Sequence, residues 1–198
     1  MSLSAPMMRF LTDFGDSAVL LPLSAVVLIW LLVTRSVGAA IWWLGVLIVF
    51  GAVIGGLKML FFACPPAVDV RSPSGHTGFS MFVYGSIAAI FAAQRQSAWS
   101  RWAIMLAAIA LVVGIAISRV ILHMHSARET VIGFLIGAAA VGVFFFGYQR
   151  TARSRRLTAP LLFAVVLTAT VFHGARLNAE TNLHALGGWL DLRQLFCR

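Results

Sequence analysis

Apolar residues gather into six long runs, near 17–34, 38–62, 77–93, 100–118, 127–148 and 158–173, with short polar connections between them. Each run is close to the roughly 20 residues that a helix needs to cross a bilayer. The pattern therefore predicts an all-α integral membrane bundle of six transmembrane helices. The last run is the shortest, and the first carries Pro22 as an early break of the kind membrane helices tolerate. Met1 to Asp16 is short and mixed, with Arg9 outweighed by Asp13 and Asp16. It lacks the basic leader of a secretory signal, so the first run reads as a retained span. Gly51-x-x-x-Gly55 and Gly133-x-x-x-Gly137 have the spacing that lets helix backbones approach closely in lipid. With no repeat, low-complexity stretch or composition break, residues 1–198 read as one domain.

Composition agrees with the pattern. Of 198 residues, 61% are hydrophobic and only 11% charged, against roughly 25% charged in soluble domains. The formal net charge is +9, almost all of it arginine. No basic run with interleaved aromatics suggests a nucleic-acid partner; the bilayer itself is the expected partner. Arginine instead marks topology. Arg35, then Arg95 and Arg101, then Arg150, Arg153, Arg155 and Arg156 fall in the first, third and fifth connections. The positive-inside rule places these in the cytoplasm, which puts both termini and the second and fourth connections in the periplasm of a bacterial inner membrane. Two cysteines, Cys64 and Cys197, are too few for a disulfide scaffold or zinc ribbon, and both would lie outside, where a bridge between them is expected. The tail 174–198 carries Leu186, Trp189, Leu190, Leu192 and Phe196, consistent with a helix lying at the interface.

Chemistry concentrates in the two outer connections. Ser118 to Glu129 sets two arginines, two histidines and a carboxylate between apolar runs, where charge is costly unless paired, hydrated or bound to an ion. A helix starting near His125 puts Glu129 one turn on, able to hold one imidazole nitrogen and leave the other basic. Arg119 brings a permanent cation to the same mouth. A histidine, an orienting acid and nearby arginines suit the handling of a phosphoryl group. The other connection runs from Lys58 through Cys64, Asp69 and Arg71 to Pro73, Ser74, Gly75 and His76. A helix that starts with a serine, a glycine and free amides makes an anion site. His76 stands there able to donate a proton. Lys58, in the last turn of the second span, must reach the boundary or an anion. His123 reads as a wall of the site, and His173 and His184 as packed or boundary residues; His123-x-His125 has no evident third metal ligand.

Together these residues resemble the type 2 phosphatidic acid phosphatase family of membrane lipid phosphatases, relatives of the vanadium haloperoxidases. The family pattern is Lys, six residues, Arg-Pro; then Pro-Ser-Gly-His; then Ser-Arg, five residues, His, three residues, Asp. The second part is complete at Pro73 to His76, and the third reads Ser118-Arg119, five residues, His125, three residues, Glu129. In the first, Lys58 and Pro66 fit, but Pro65 stands where the arginine belongs. The resemblance implies that His125 is the nucleophile forming a phosphohistidine, that Glu129 orients it, and that His76 is the general acid. Lys58, Ser74, Gly75 and Arg119 would hold the phosphate oxygens, with Arg71 or Arg128 making up for the arginine lost at Pro65. Phosphoryl transfer asks mainly for positioning and fixed positive charge, so no metal or cofactor is expected.

The expected substrate is a lipid phosphomonoester or pyrophosphate: a polyprenyl pyrophosphate, phosphatidylglycerol phosphate, phosphatidic acid or lipid A phosphate. A lipid phosphotransferase and a phospholipid-binding or transport protein without turnover are the rival readings.

Overall fold

The computed structural model describes residues 4–64, 72–151 and 158–177. Among the described residues all regular structure is helical, in seven elements: α1 Ser4–Asp13, α2 Ser17–Val33, α3 Val37–Ala63, α4 Gly75–Ala93, α5 Ala98–Ile121, α6 Ala127–Thr151 and α7 Ala159–Phe172. The six apolar runs reappear as α2 to α7, within three residues at every end. Five helical stretches are long and apolar enough to cross a membrane, Ala5–Val33 counting as one. At 14 residues α7 is about 21 Å long, shorter than the ~30 Å hydrocarbon core. The apolar pattern assigns no element to residues 1–16, yet α1 forms there and packs against α5. The expected interfacial tail helix, His184 and Arg153, Arg155 and Arg156 lie outside the described residues.

Burial explains the uneven hydropathy of the spans. Helix α4 is the axis of the bundle: 83% of its apolar window is buried, and it is flanked by α5 and α6. It has the lowest mean hydropathy of the five, 1.3, and contains Ser80, Tyr84 and Ser86. Helix α5 has the highest, 2.6, and only 22% of its window is buried. Lipid, not the protein interior, demands the greasiest faces. Inside, Trp43 stacks on Phe82 (ring centroids 4.8 Å apart) and meets Phe144 edge-on at 5.0 Å. Its indole Nε1 donates to the Ser24 carbonyl at 3.1 Å, so the polar end of a fully buried ring is satisfied.

Glycine permits the closest approach in the bundle. A Cβ on Gly133 would come within 2.5 Å of the Ser74 carbonyl oxygen, and one on Gly137 would collide with the Gly78 carbonyl. The Gly133/Gly137 pair is therefore the α4–α6 contact its spacing suggested. The Gly51/Gly55 pair is not a packing motif here. A Cβ on Gly51 would only touch Phe79, at 3.8 Å, one on Gly55 would meet nothing within 4 Å, and both glycines face a cavity.

The chain runs up and down, so the starts of α2, α4 and α6 and the ends of α3, α5 and α7 share one end of the bundle. Contacts across that end, such as Asp16 with His76 and Ser74 with Glu129, fix this arrangement. Arg35, Arg95, Arg101 and Arg150 fall at the opposite end.

Candidate active site

The second motif builds the head of α4. Ser74 is its N-cap: the hydroxyl accepts the Thr77 N–H at 3.4 Å and shares a hydrogen bond with Thr77 Oγ1 at 3.1 Å. Engaged this way and fully buried, Ser74 sets the direction of the Gly75 and His76 amides, the first of the helix. Lys58 comes from α3 to lie over them. A Cβ on Gly75 would sit 3.3 Å from Lys58 Cε and 3.8 Å from Nζ. The Lys58 side chain is buried, so an ammonium and the positive end of a helix converge on one small volume.

The third motif begins with a helix end. Arg119, Val120 and Ser118 carbonyls accept the Met124, His123 and Leu122 amides at 3.0, 3.0 and 2.9 Å, the pattern of a Schellman turn. His123 takes its left-handed position, with φ 54°, and is exposed. His123 is thus a turn residue and not the site wall expected from the sequence. The same Arg119 carbonyl accepts the His125 amide at 3.3 Å, which fixes the nucleophile candidate relative to the arginine. The Arg119 side chain is buried, and its Nη1 lies 2.8 Å from Met124 Sδ.

Helix α6 then starts with a capping box. Ser126 Oγ accepts the Glu129 amide at 3.3 Å, and Glu129 Oε2 accepts the Ser126 amide at 3.0 Å. Glu129 Oε2 also lies 2.8 Å from His125 Nδ1, while Oε1 accepts the Ser72 amide at 3.2 Å. The Ser74 amide donates to the Glu129 carbonyl at 3.0 Å. One buried carboxylate thus orients the imidazole, caps its helix and ties down the segment leading to His76. Three donors offset the cost of burying it. The two histidine motifs meet through Glu129.

A cavity of about 990 Å³ opens beside this junction. Lys58, Gly75, His76 and Arg119 line it, joined by Arg9 from α1 and Arg176 beyond α7. Arg128 is exposed and does not belong to this lining; nor do Ser74, His125 and Glu129, which are packed beside it. Arg71, Asp69 and Pro65 lie outside the described residues. Cys64 is disulfide-bonded, and Cys197 lies outside the described residues. No group of three or more His, Cys, Asp or Glu side chains among the described residues is arranged to hold a metal.

Besides Arg9 and Arg176, sequence reasoning missed Asp16 in this site. Asp16 Oδ2 lies 3.6 Å from His76 Nε2 in the same cavity. An aspartate just before an apolar run signals a helix cap, and Asp16 does cap α2, accepting the Ala18 amide at 2.9 Å. Its second role depends on a contact sixty positions away, which local pattern does not encode.

Comparison with known proteins adds three findings. Residues 61–153 match the PAP2 superfamily, a span that contains both site histidines and Glu129 and begins three residues after Lys58. The chain is 29% identical over 147 residues to an uncharacterized 22.5 kDa protein in the cps region of Klebsiella pneumoniae, covering 72% of this chain and 70% of that one. No solved structure matches.

Proposed function

We propose, on the premise that this chain carries a PAP2 superfamily region of phosphatase type across residues 61–153, that it hydrolyses a lipid phosphomonoester or pyrophosphate through a phosphohistidine. The observation carrying this reading is the His125–Glu129 contact of 2.8 Å, set at the same bundle end as His76, Lys58 and Arg119. Glu129 on Nδ1 makes Nε2 the attacking nitrogen. It forms the N–P bond while the bond from phosphorus to the lipid oxygen breaks, and His76 supplies the proton to that oxygen. His76 then takes a proton from water, which attacks phosphorus, releases His125 and yields inorganic phosphate. Lys58, Arg119 and the Gly75 and His76 amides stabilise charge on the equatorial oxygens throughout. Ser74 aims those amides.

An apolar bundle with the site at its end suits a substrate anchored in a leaflet. Arg35, Arg95, Arg101 and Arg150 at the far end support six crossings with that end cytoplasmic, and hence an active site facing the periplasm across a bacterial inner membrane. The test is phosphate release by purified protein from a panel of lipid phosphates, with His125→Ala as control. Release by the wild type that His125→Ala abolishes is the expected result. Equal release by both would overturn the reading, as would a wild type that binds these lipids without turnover.

A further inference from the structure

Asp16 is held more firmly than capping requires. Its Oδ1 accepts two amides, from Ala18 at 2.9 Å and from Leu177 at 3.1 Å, and this leaves Oδ2 turned toward His76 Nε2. The Leu177 contact is part of a clasp: Arg176 Nη2 lies 3.4 Å from Asp13 Oδ1, and His173 Nε2 lies 3.1 Å from the Phe10 carbonyl oxygen. The segment after α7 therefore locks the α1–α2 corner, and the corner carries the carboxylate. We propose that Asp16 is a positioning residue for His76, so that the chain holds two histidine–carboxylate pairs with separate tasks. Glu129 orients the nucleophile, and Asp16 holds the proton donor.

The physical need comes from the cavity itself. A histidine that must carry a proton shares this space with Lys58, Arg119, Arg9 and Arg176, all cationic. Without a counter-charge the imidazolium would be repelled from the position where it meets the leaving oxygen. A separation of 3.6 Å is ion-pair range and longer than a direct hydrogen bond, and such contacts tighten when substrate closes the site.

The inference rests on the phosphatase reading, and its test separates the two. Asp16→Asn keeps the shape and caps a helix as well as aspartate does, so α2 is retained; thermal unfolding in detergent verifies this. The quantities to compare are kcat/KM values, which cover transfer of phosphorus to His125 and not the later hydrolysis common to both substrates, for a short-chain alkyl phosphate, whose leaving oxygen needs a proton, and for 4-nitrophenyl phosphate, whose leaving group does not. Displacing a catalytic group costs on the order of 100-fold, so Asp16→Asn lowers the alkyl value by about that factor and the aryl value by far less. Asp16→Asn combined with His76→Ala is no slower than His76→Ala alone. Equal losses on both substrates, or none, would overturn the role of Asp16 while leaving the phosphatase reading intact. A His76→Ala enzyme insensitive to the leaving group would remove His76 as the acid, and a wild type that releases no phosphate would remove the whole reading; either takes this inference with it.

Discussion

Lys58 lies across Gly75, with Cε 3.3 Å from the place a Cβ on that glycine would occupy. Alanine suits a first helical turn at least as well as glycine, so helix formation does not explain the residue. The lysine does. Gly75→Ala should leave thermal stability in detergent unchanged or slightly raised while lowering kcat/KM about tenfold, as the ammonium is pushed off the phosphate position. A stable variant with wild-type kcat/KM would show that Lys58 does not work from there.

The α4–α6 seam yields the opposite signature. Gly133→Ala sets a methyl against the Ser74 carbonyl, backbone that cannot swing away. Overpacking of this kind typically costs about 1–3 kcal/mol. Because Ser74 caps the helix bearing His76, activity should fall along with stability. Gly142→Ala, where a Cβ meets nothing within 4 Å, is the matched control and should keep activity while holding or slightly raising stability. Unfolding temperature and kcat, measured together on both variants, decide the matter.

What could be read from the sequence was what repeats locally or sits at fixed spacing. Apolar run length located α2 to α7, and the interval from His125 to Glu129 announced a pair on one helical turn. Contacts made through the fold escaped. Asp16 reaches His76 only because α1 and α2 meet at a corner beside α4, and Arg176 reaches the cavity only because α7 ends there. Helix α1 was missed because ten mixed residues carry a weak apolar signal. Spacing alone also misled. Gly51/Gly55 and Gly133/Gly137 share one pattern, but only the second faces a backbone, and His123 looked like part of the site when its left-handed turn points it to the exterior.

Glutamate at position 129, where the resembling pattern has aspartate, does two jobs that fix its length. It reaches back to the Ser126 amide and to His125 Nδ1 at once. Glu129→Gln should lower kcat by on the order of 10²–10⁴-fold, because an amide no longer balances the imidazolium or selects its tautomer. Glu129→Asp, one methylene short, should also lose activity, at least tenfold, since it cannot serve both partners. An aspartate variant as fast as the wild type would mean the capping box is dispensable to catalysis.

His123 offers a substitution that ought to improve the protein. A left-handed residue with a side chain is strained by roughly 1 kcal/mol relative to glycine. With φ 54° and an exposed imidazole, His123→Gly should raise the unfolding temperature and keep kcat/KM, whereas His123→Val should lower both by distorting the turn that places His125. Loss of activity in a stabilised His123→Gly enzyme would give this histidine a chemical role that its position does not suggest.

Two arginines near the mouth should separate cleanly. Arg176 lines the cavity and pairs with Asp13 at 3.4 Å, whereas Arg128 is exposed away from the lining. If fixed charge at the mouth draws in the anionic headgroup, Arg176→Ala should lower kcat/KM several-fold, mostly through KM. Being more than half exposed, the arginine acts through solvent, so its contribution should shrink as salt is raised toward 1 M. Arg128→Ala should match an arginine substitution at the far end, such as Arg95→Ala, at every salt concentration. Kinetics at low and high ionic strength on the three variants tests this. A larger loss for Arg128→Ala than for Arg176→Ala would assign the substitute for the missing motif arginine to α6, and not to the segment that closes over the corner of α1 and α2.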